Sequence, residues 1–155
     1  MAEAEIQEAN PRAAKKPRVR PPQTFRHFKP ETQGGGKAMV RLCQSDLIRG
    51  VVQVVKKGEG DNNLHLHTGM DTVWFVIRGR VKFYGENDAV MGEFGPGEGI
   101  LMPRNNAYWF AAEGEEDLEL LQVAAFDREV KNERVDLENQ RFEVGTAEYF
   151  DGRTG

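Results

Sequence analysis

Between Ala38 and Phe126 the chain is cut by glycine-rich turns into short β-branched and aromatic runs, too brief and wrongly spaced for helices. AMVRLC and IRGVVQVVKK come first, punctuated by Gly50 and Gly58. Strand-forming residues 72–78 and 80–84 flank Gly79, and GEND at 85–88 has turn chemistry. VMGEF, GILMP and AYWFAA follow, divided by Gly95-Pro96-Gly97 and Asn105-Asn106, and LELLQVAAF at 118–126 closes the series. Roughly eight or nine strands at spacings of about 8 to 12 residues, with no helical period, predict an antiparallel sandwich or barrel.

The flanks read differently. Residues 1–35 carry five prolines and run into Gly34-Gly35-Gly36, which forbids a stable helix past the first dozen residues. They are expected to form a flexible N-terminal arm, able to reach a neighbouring subunit through Phe25 and Phe28. Residues 129–155 are polar and charged, and predict a C-terminal tail or a short surface helix near 130–141. One domain, 36–128, therefore lies between two appendages.

The net charge of −4 hides an asymmetry: residues 1–37 carry four excess positive charges, and the remainder eight excess negative ones. An acidic body argues against nucleic acid as the main partner. KKPRVRPP at 15–22 resembles a nuclear address or an anionic-surface contact, although a solvated basic tail has the same composition. No apolar run reaches the roughly 20 residues of a membrane span, and no signal core opens the sequence. Cys43 is the only cysteine, which excludes an internal disulfide and, with the missing signal, predicts a cytoplasmic protein.

The chemistry concentrates in GEGDNNLHLHTGMDTVWFVIRGRVKFYG, residues 58–85. His65 and His67 are two residues apart, so on a strand both imidazoles face one side and can share one metal ion or one substrate atom. The alternative is a pair of hydrogen-bonded barrel histidines without metal. Asp71 and Thr72 follow, and side chains switch face with each residue, so only one of the two can face the histidines. Regular register to Gly79 turns Thr72, Trp74 and Val76 inward. A bulge after Gly69 turns Asp71 inward instead and completes a two-histidine, one-carboxylate set. Tyr108 lies in an aromatic run, Ala107 to Phe110, and reads either as an oxygen ligand or proton donor, or as packing. Arg104 at the barrel mouth would suit an anion, or is a plain surface arginine.

These residues resemble the cupin superfamily, which folds as a small jelly-roll barrel. Its first motif, G-x5-H-x-H-x3,4-E-x6-G, is met by His65, His67 and Gly79. In the second, G-x5-P-x-G-x2-H-x3-N, Gly97 and Pro103 match, whereas Asn105 replaces the glycine, Tyr108 the histidine and Ala112 the asparagine. The motifs are separated by 17 residues, a usual cupin distance, and the resemblance spans about two-thirds of the chain. It implies an all-β, single-domain cupin with a divalent transition metal (iron, manganese, zinc or nickel) held by His65, His67 and Asp71, and Tyr108 as a catalytic group. The implied function is a small-molecule oxygenase, isomerase or lyase. Two alternatives are a metal-free sugar isomerase or epimerase with a histidine base and Tyr108 as acid, and a non-catalytic binder.

Phosphate loops opening a helix, cysteine pairs and a nucleophile elbow are absent from the sequence. Both faces of strand 72–77 are apolar, Trp74 and Val76 on one, Val73, Phe75 and Ile77 on the other. The second face needs covering, which predicts a homodimer.

Overall fold

The β-branched runs form strands where their composition places them. A computed structural model describes residues 17–138 and 147–155; the first sixteen residues of the expected arm, with the start of the basic stretch, and 139–141 of the expected helix lie outside them. Among these described residues the regular structure consists of thirteen strands and one 3-10 turn, Glu86–Asp88. The largest sheet has six strands in the order β12 (Glu148–Asp151), β2 (Lys37–Gln44), β3 (Ile48–Val55), β10 (Leu118–Phe126), β5 (Met70–Arg78) and β8 (Gly99–Met102). Facing it are β7 (Val90–Phe94), β6 (Arg80–Tyr84) and β9 (Trp109–Glu113). The pair β11 (Arg134–Asp136) and β4 (His65–His67) extends this second sheet, because His65 and Tyr108 exchange backbone hydrogen bonds of 3.1 and 2.9 Å. β1 (Thr24–Phe25) pairs with β13 (Arg153–Thr154) at one edge.

Alternation decides what lies between the sheets. On β5, Met70, Thr72, Trp74 and Val76 are buried, while Val73, Phe75 and Ile77 are exposed. Val55, Trp74, Val76, Val81, Phe83, Phe110, Leu118 and Leu120 form the main core at the closed end of the barrel. Chain passage from one sheet to the other at Gly79 depends on φ = +86°, and a Cβ there would lie 2.7 Å from the Asp117 carbonyl oxygen.

A second core cluster lies on the outer face of the large sheet, around Ala38, Val40, Leu42, Val52 and Val54. The described part of the arm flanks this face. Phe28 meets Phe150 edge to face at 6.4 Å, Gln23 exchanges two hydrogen bonds with the Gln44 backbone, and Lys29 pairs with Asp117 at 2.8 Å. His27 Nε2 lies 2.6 Å from the buried Glu119 carboxylate. Beyond the arm, Val73, Phe75, Ile77 and Leu101 remain exposed as a strip across β5 and β8.

The C-terminal residues differ from a tail or helix. β11 pairs with β4, β12 adds in parallel to β2, and β13 binds β1, so three short segments of the described part of 129–155 join the sheets as strands. No helix among the described residues is long and apolar enough to cross a membrane.

Candidate functional site in the barrel lumen

β4 is only three residues long, yet its neighbours fix its orientation. His65 lies opposite Asp136 on one side and Tyr108 on the other; His67 lies opposite Arg134. Directly opposed residues share a face, so these five side chains form a patch on one wall of the barrel. The two imidazole centroids are 5.1 Å apart and nearly perpendicular, and the Tyr108 ring is 4.6 Å from His65 and 6.4 Å from His67. The histidine pair and Tyr108 are therefore brought together.

Asp71 is not. β5 pairs with β10 in unbroken register from Met70 to Val76, so the bulge that would turn the carboxylate inward does not form and Thr72 faces in. Gly69 serves another purpose: a Cβ there would come within 2.8 Å of the Asn132 and Val130 backbone, so it admits the closing C-terminal segment. Outside the barrel, Asp71 accepts from the Arg104 backbone N–H at 2.9 Å and from Arg104 Nε at 3.0 Å, while Arg104 Nη1 also binds Asp127. Arg104 consequently clips β5 to the end of β10 rather than facing the lumen. Asn105, where the motif expects glycine, adopts φ = +68°, a conformation asparagine tolerates better than most residues.

A cavity of about 1070 Å³ opens above the histidines. His65, His67, Met70, Trp74, Tyr108 and Phe110 form its floor, and Gln53 and Gln122 form part of the opposite wall. Gln53 Nε2 donates to Gln122 Oε1 at 3.1 Å, and Gln53 Oε1 is buried without a partner. Three cations also line the space: Lys37, Arg49 and Arg134. Composition and spacing did not single these out, because they line one space only once β2, β3 and the distant β11 have paired into their sheets.

Burial, followed by the Arg134 guanidinium, holds both imidazoles neutral, with pKa lowered from 6.5 to about 4. His65 Nδ1–H donates to the Asn63 carbonyl at 2.7 Å, which fixes the tautomer and leaves Nε2 with its lone pair. His67 Nδ1 is buried with no partner. Desolvation pushes the Tyr108 phenol well above its usual value, so it stays protonated. The Trp74 indole N–H favours the phenolate slightly, yet it does not reach hydrogen-bond geometry.

Two neutral imidazoles, one with a pinned tautomer, suit a metal in part. The rest of the donor set does not: among the described residues, no group of three His, Cys, Asp or Glu side chains is placed to hold an ion. The charges nearest the pair oppose a cation. Arg134 acts on both imidazoles and Arg49 on His67, and the one opposing carboxylate, Asp136, is already bound to Arg134 at 3.0 Å. These residues do not fit a protein-held divalent metal.

The Cupin domain family model matches residues 51–124, the span from β3 to β10 that carries both histidines and Tyr108. Over those residues the chain carries a cupin domain. Among solved structures, this cupin is similar to an uncharacterised double-stranded β-helix protein from Klebsiella pneumoniae, at 16% identity and TM-score 0.58 over 72% of this chain and 98% of that one. KdgF from a Halomonas species gives 16% identity and TM-score 0.57 over 68% and 96%. A cupin superfamily protein from Desulfitobacterium hafniense gives 20% and 0.52 over 63% and 84%. Likenesses this distant establish the jelly-roll fold alone. No curated protein matches the sequence.

Proposed function

We propose that this cupin catalyses proton transfer on a small carbonyl-bearing molecule without a protein-held metal, as an isomerase or epimerase. The observation that carries this reading is the pairing of a tautomer-fixed imidazole, His65, with a protonated phenol, Tyr108, at 4.6 Å on the cavity floor. A base whose second nitrogen is anchored presents its lone pair in a fixed direction. His65 Nε2 removes a proton from the carbon beside the substrate carbonyl, and the Tyr108 hydroxyl donates its proton to the carbonyl oxygen. The product of that step is an enol, with His65 protonated and Tyr108 ionised. Return of the His65 proton to the former carbonyl carbon, or to the opposite face of the same carbon, while an enol hydroxyl gives its proton back to the Tyr108 phenolate, yields the isomer or epimer and restores both groups. His67 packs edge to face on His65 and keeps that wall polar.

The apolar floor and the amide-bearing wall suit this chemistry, since Trp74 and Phe110 exclude water while Gln53 and Gln122 offer hydrogen bonds. The test is incubation of tag-free protein with a panel of ketoses and keto acids in deuterated water, together with elemental analysis. The expected result is deuterium incorporation beside the carbonyl that survives chelator treatment and is lost in Tyr108→Phe. About one equivalent of transition metal per chain, removed by His65→Ala with His67→Ala, sinks the reading.

A further inference from the structure

The cations of the lumen have no role in the proton-transfer scheme, and their placement is selective. Arg49 enters from β3 on the large sheet, aligned with Ala124 and Thr72, both buried within the barrel. Arg134, exposed on β11 directly opposite His67, lines the cavity from its solvent side. Lys37 lies at the start of β2, its ammonium 5.2 Å above the Phe110 ring. Neither Arg49 nor Lys37 has a carboxylate within ion-pair distance among the described residues, although each is half-buried. Ring contacts, Arg49 over Phe126 at 5.2 Å and Lys37 over Phe110, meet part of that charge and leave the guanidinium N–H donors of Arg49 open to an anion.

The acidic groups on the cavity wall are Glu59, Asp61 and Glu148, and Glu59 is exposed beside Gly36 at the rim. Glu148 accepts from the Gln33 and Gly35 backbone N–H groups at the rim. Asp61 opposes Lys37, and its own carboxyl is pushed up by burial and by Glu113. Asp136 binds Arg134. Around the imidazoles, two guanidiniums and one carboxylate thus leave about one positive charge uncompensated. That balance suits a monoanion better than a phosphate dianion. Gln53 Oε1, buried in the wall without a partner, accepts from a hydroxyl.

We infer that the ligand of this cavity is a small hydroxylated organic acid whose carboxylate is held between Arg49 and Arg134, with its carbon chain lying along Gln53 and Gln122 towards the histidine floor. This deepens the proton-transfer reading and rests on it for what happens at the other end of the ligand. Guanidinium groups recognise a carboxylate by two parallel N–H donors, which a lysine cannot reproduce. Lys37, its pKa lowered to about 8 mainly by burial, adds a further positive charge at neutral pH and loses it above that value.

The test measures binding of gluconate, malate and lactate by calorimetry, with sorbitol as the neutral partner of gluconate and inorganic phosphate as the anion control. Expected are saturable binding of at least one carboxylate, at least tenfold weaker binding in Arg49→Gln and in Arg134→Gln, and only partial recovery in Arg49→Lys. Arg128→Gln, outside the lumen, leaves binding unchanged, and thermal melts verify that each variant is folded. Equal binding of gluconate and sorbitol, wild-type affinity in both arginine variants, tightest binding by phosphate, or no saturable binding by any carboxylate each overturns the inference. Such a failure with chelator-resistant deuterium exchange intact removes only the carboxylate anchor. Stoichiometric metal with intact carboxylate binding removes only the proton-transfer scheme.

Discussion

Replacing Tyr108 by phenylalanine removes one oxygen from the cavity floor and leaves the ring packing on His65 and Trp74 in place. Loss of a positioned general acid predicts a fall in exchange rate of about 100-fold or more, with little change in melting temperature. Asp71→Asn provides the contrasting case. Its carboxylate belongs to the partly exposed clip with Arg104, so the expected cost is at most ~1 kcal/mol of stability, with the exchange rate unchanged. A large drop in that rate would return Asp71 to the site. The imidazoles also set a pH dependence. Their folded pKa of about 4 lies below the ordinary 6.5, so the stability from keeping them neutral is full above about pH 6.5 and is lost as pH falls towards 4. Unfolding free energies from urea titrations should fall across that window by up to ~1.4 kcal/mol per pH unit for each titrating ring, and a His65→Gln variant should show a shallower fall. His65 and His67 were legible because alternation alone puts them on one face. Asp71 was misplaced because a one-residue shift of parity changes which face a side chain takes, and the pairing with β10 settles that parity. Arg49 and Arg134 left no local signal, since they meet only through long-range pairing.

At the scale of elements, the eight main strands of the barrel follow the runs of β-branched and aromatic residues closely, because each run is bounded by residues that break pairing. Short strands were missed for the same reason in reverse: β11 and β12 are charged or mixed segments whose conformation comes from the edges they join. Gly79 is the joint on which the passage between sheets depends. Gly79→Ala combines a disfavoured φ with a clash against the Asp117 carbonyl, and is expected to cost on the order of 1–3 kcal/mol, read as a melting temperature lower by several degrees. A Gly79→Ala protein with unchanged melting behaviour would mean that the turn relaxes freely.

At the scale of the molecule, the arm lies beside one half of the outer sheet face and leaves the strip of Val73, Phe75, Ile77 and Leu101 uncovered. A second copy laid on the same strip about a twofold axis matches apolar surface to apolar surface. Sedimentation at micromolar concentration is expected to give a dimer, and Phe75→Ser with Leu101→Ser a monomer; a wild-type monomer contradicts it. The rim of the cavity has a different origin. Gln33 to Lys37, leading into the barrel, and Ala147 to Tyr149, returning after it, stand side by side at the opening and are joined through Glu148. Admission of a ligand is therefore governed by two stretches distant in the polypeptide that must dock against each other. Whatever loosens either one widens the doorway, so a fusion or cleavage near residue 150 would alter how guests enter even though it leaves the reacting groups untouched.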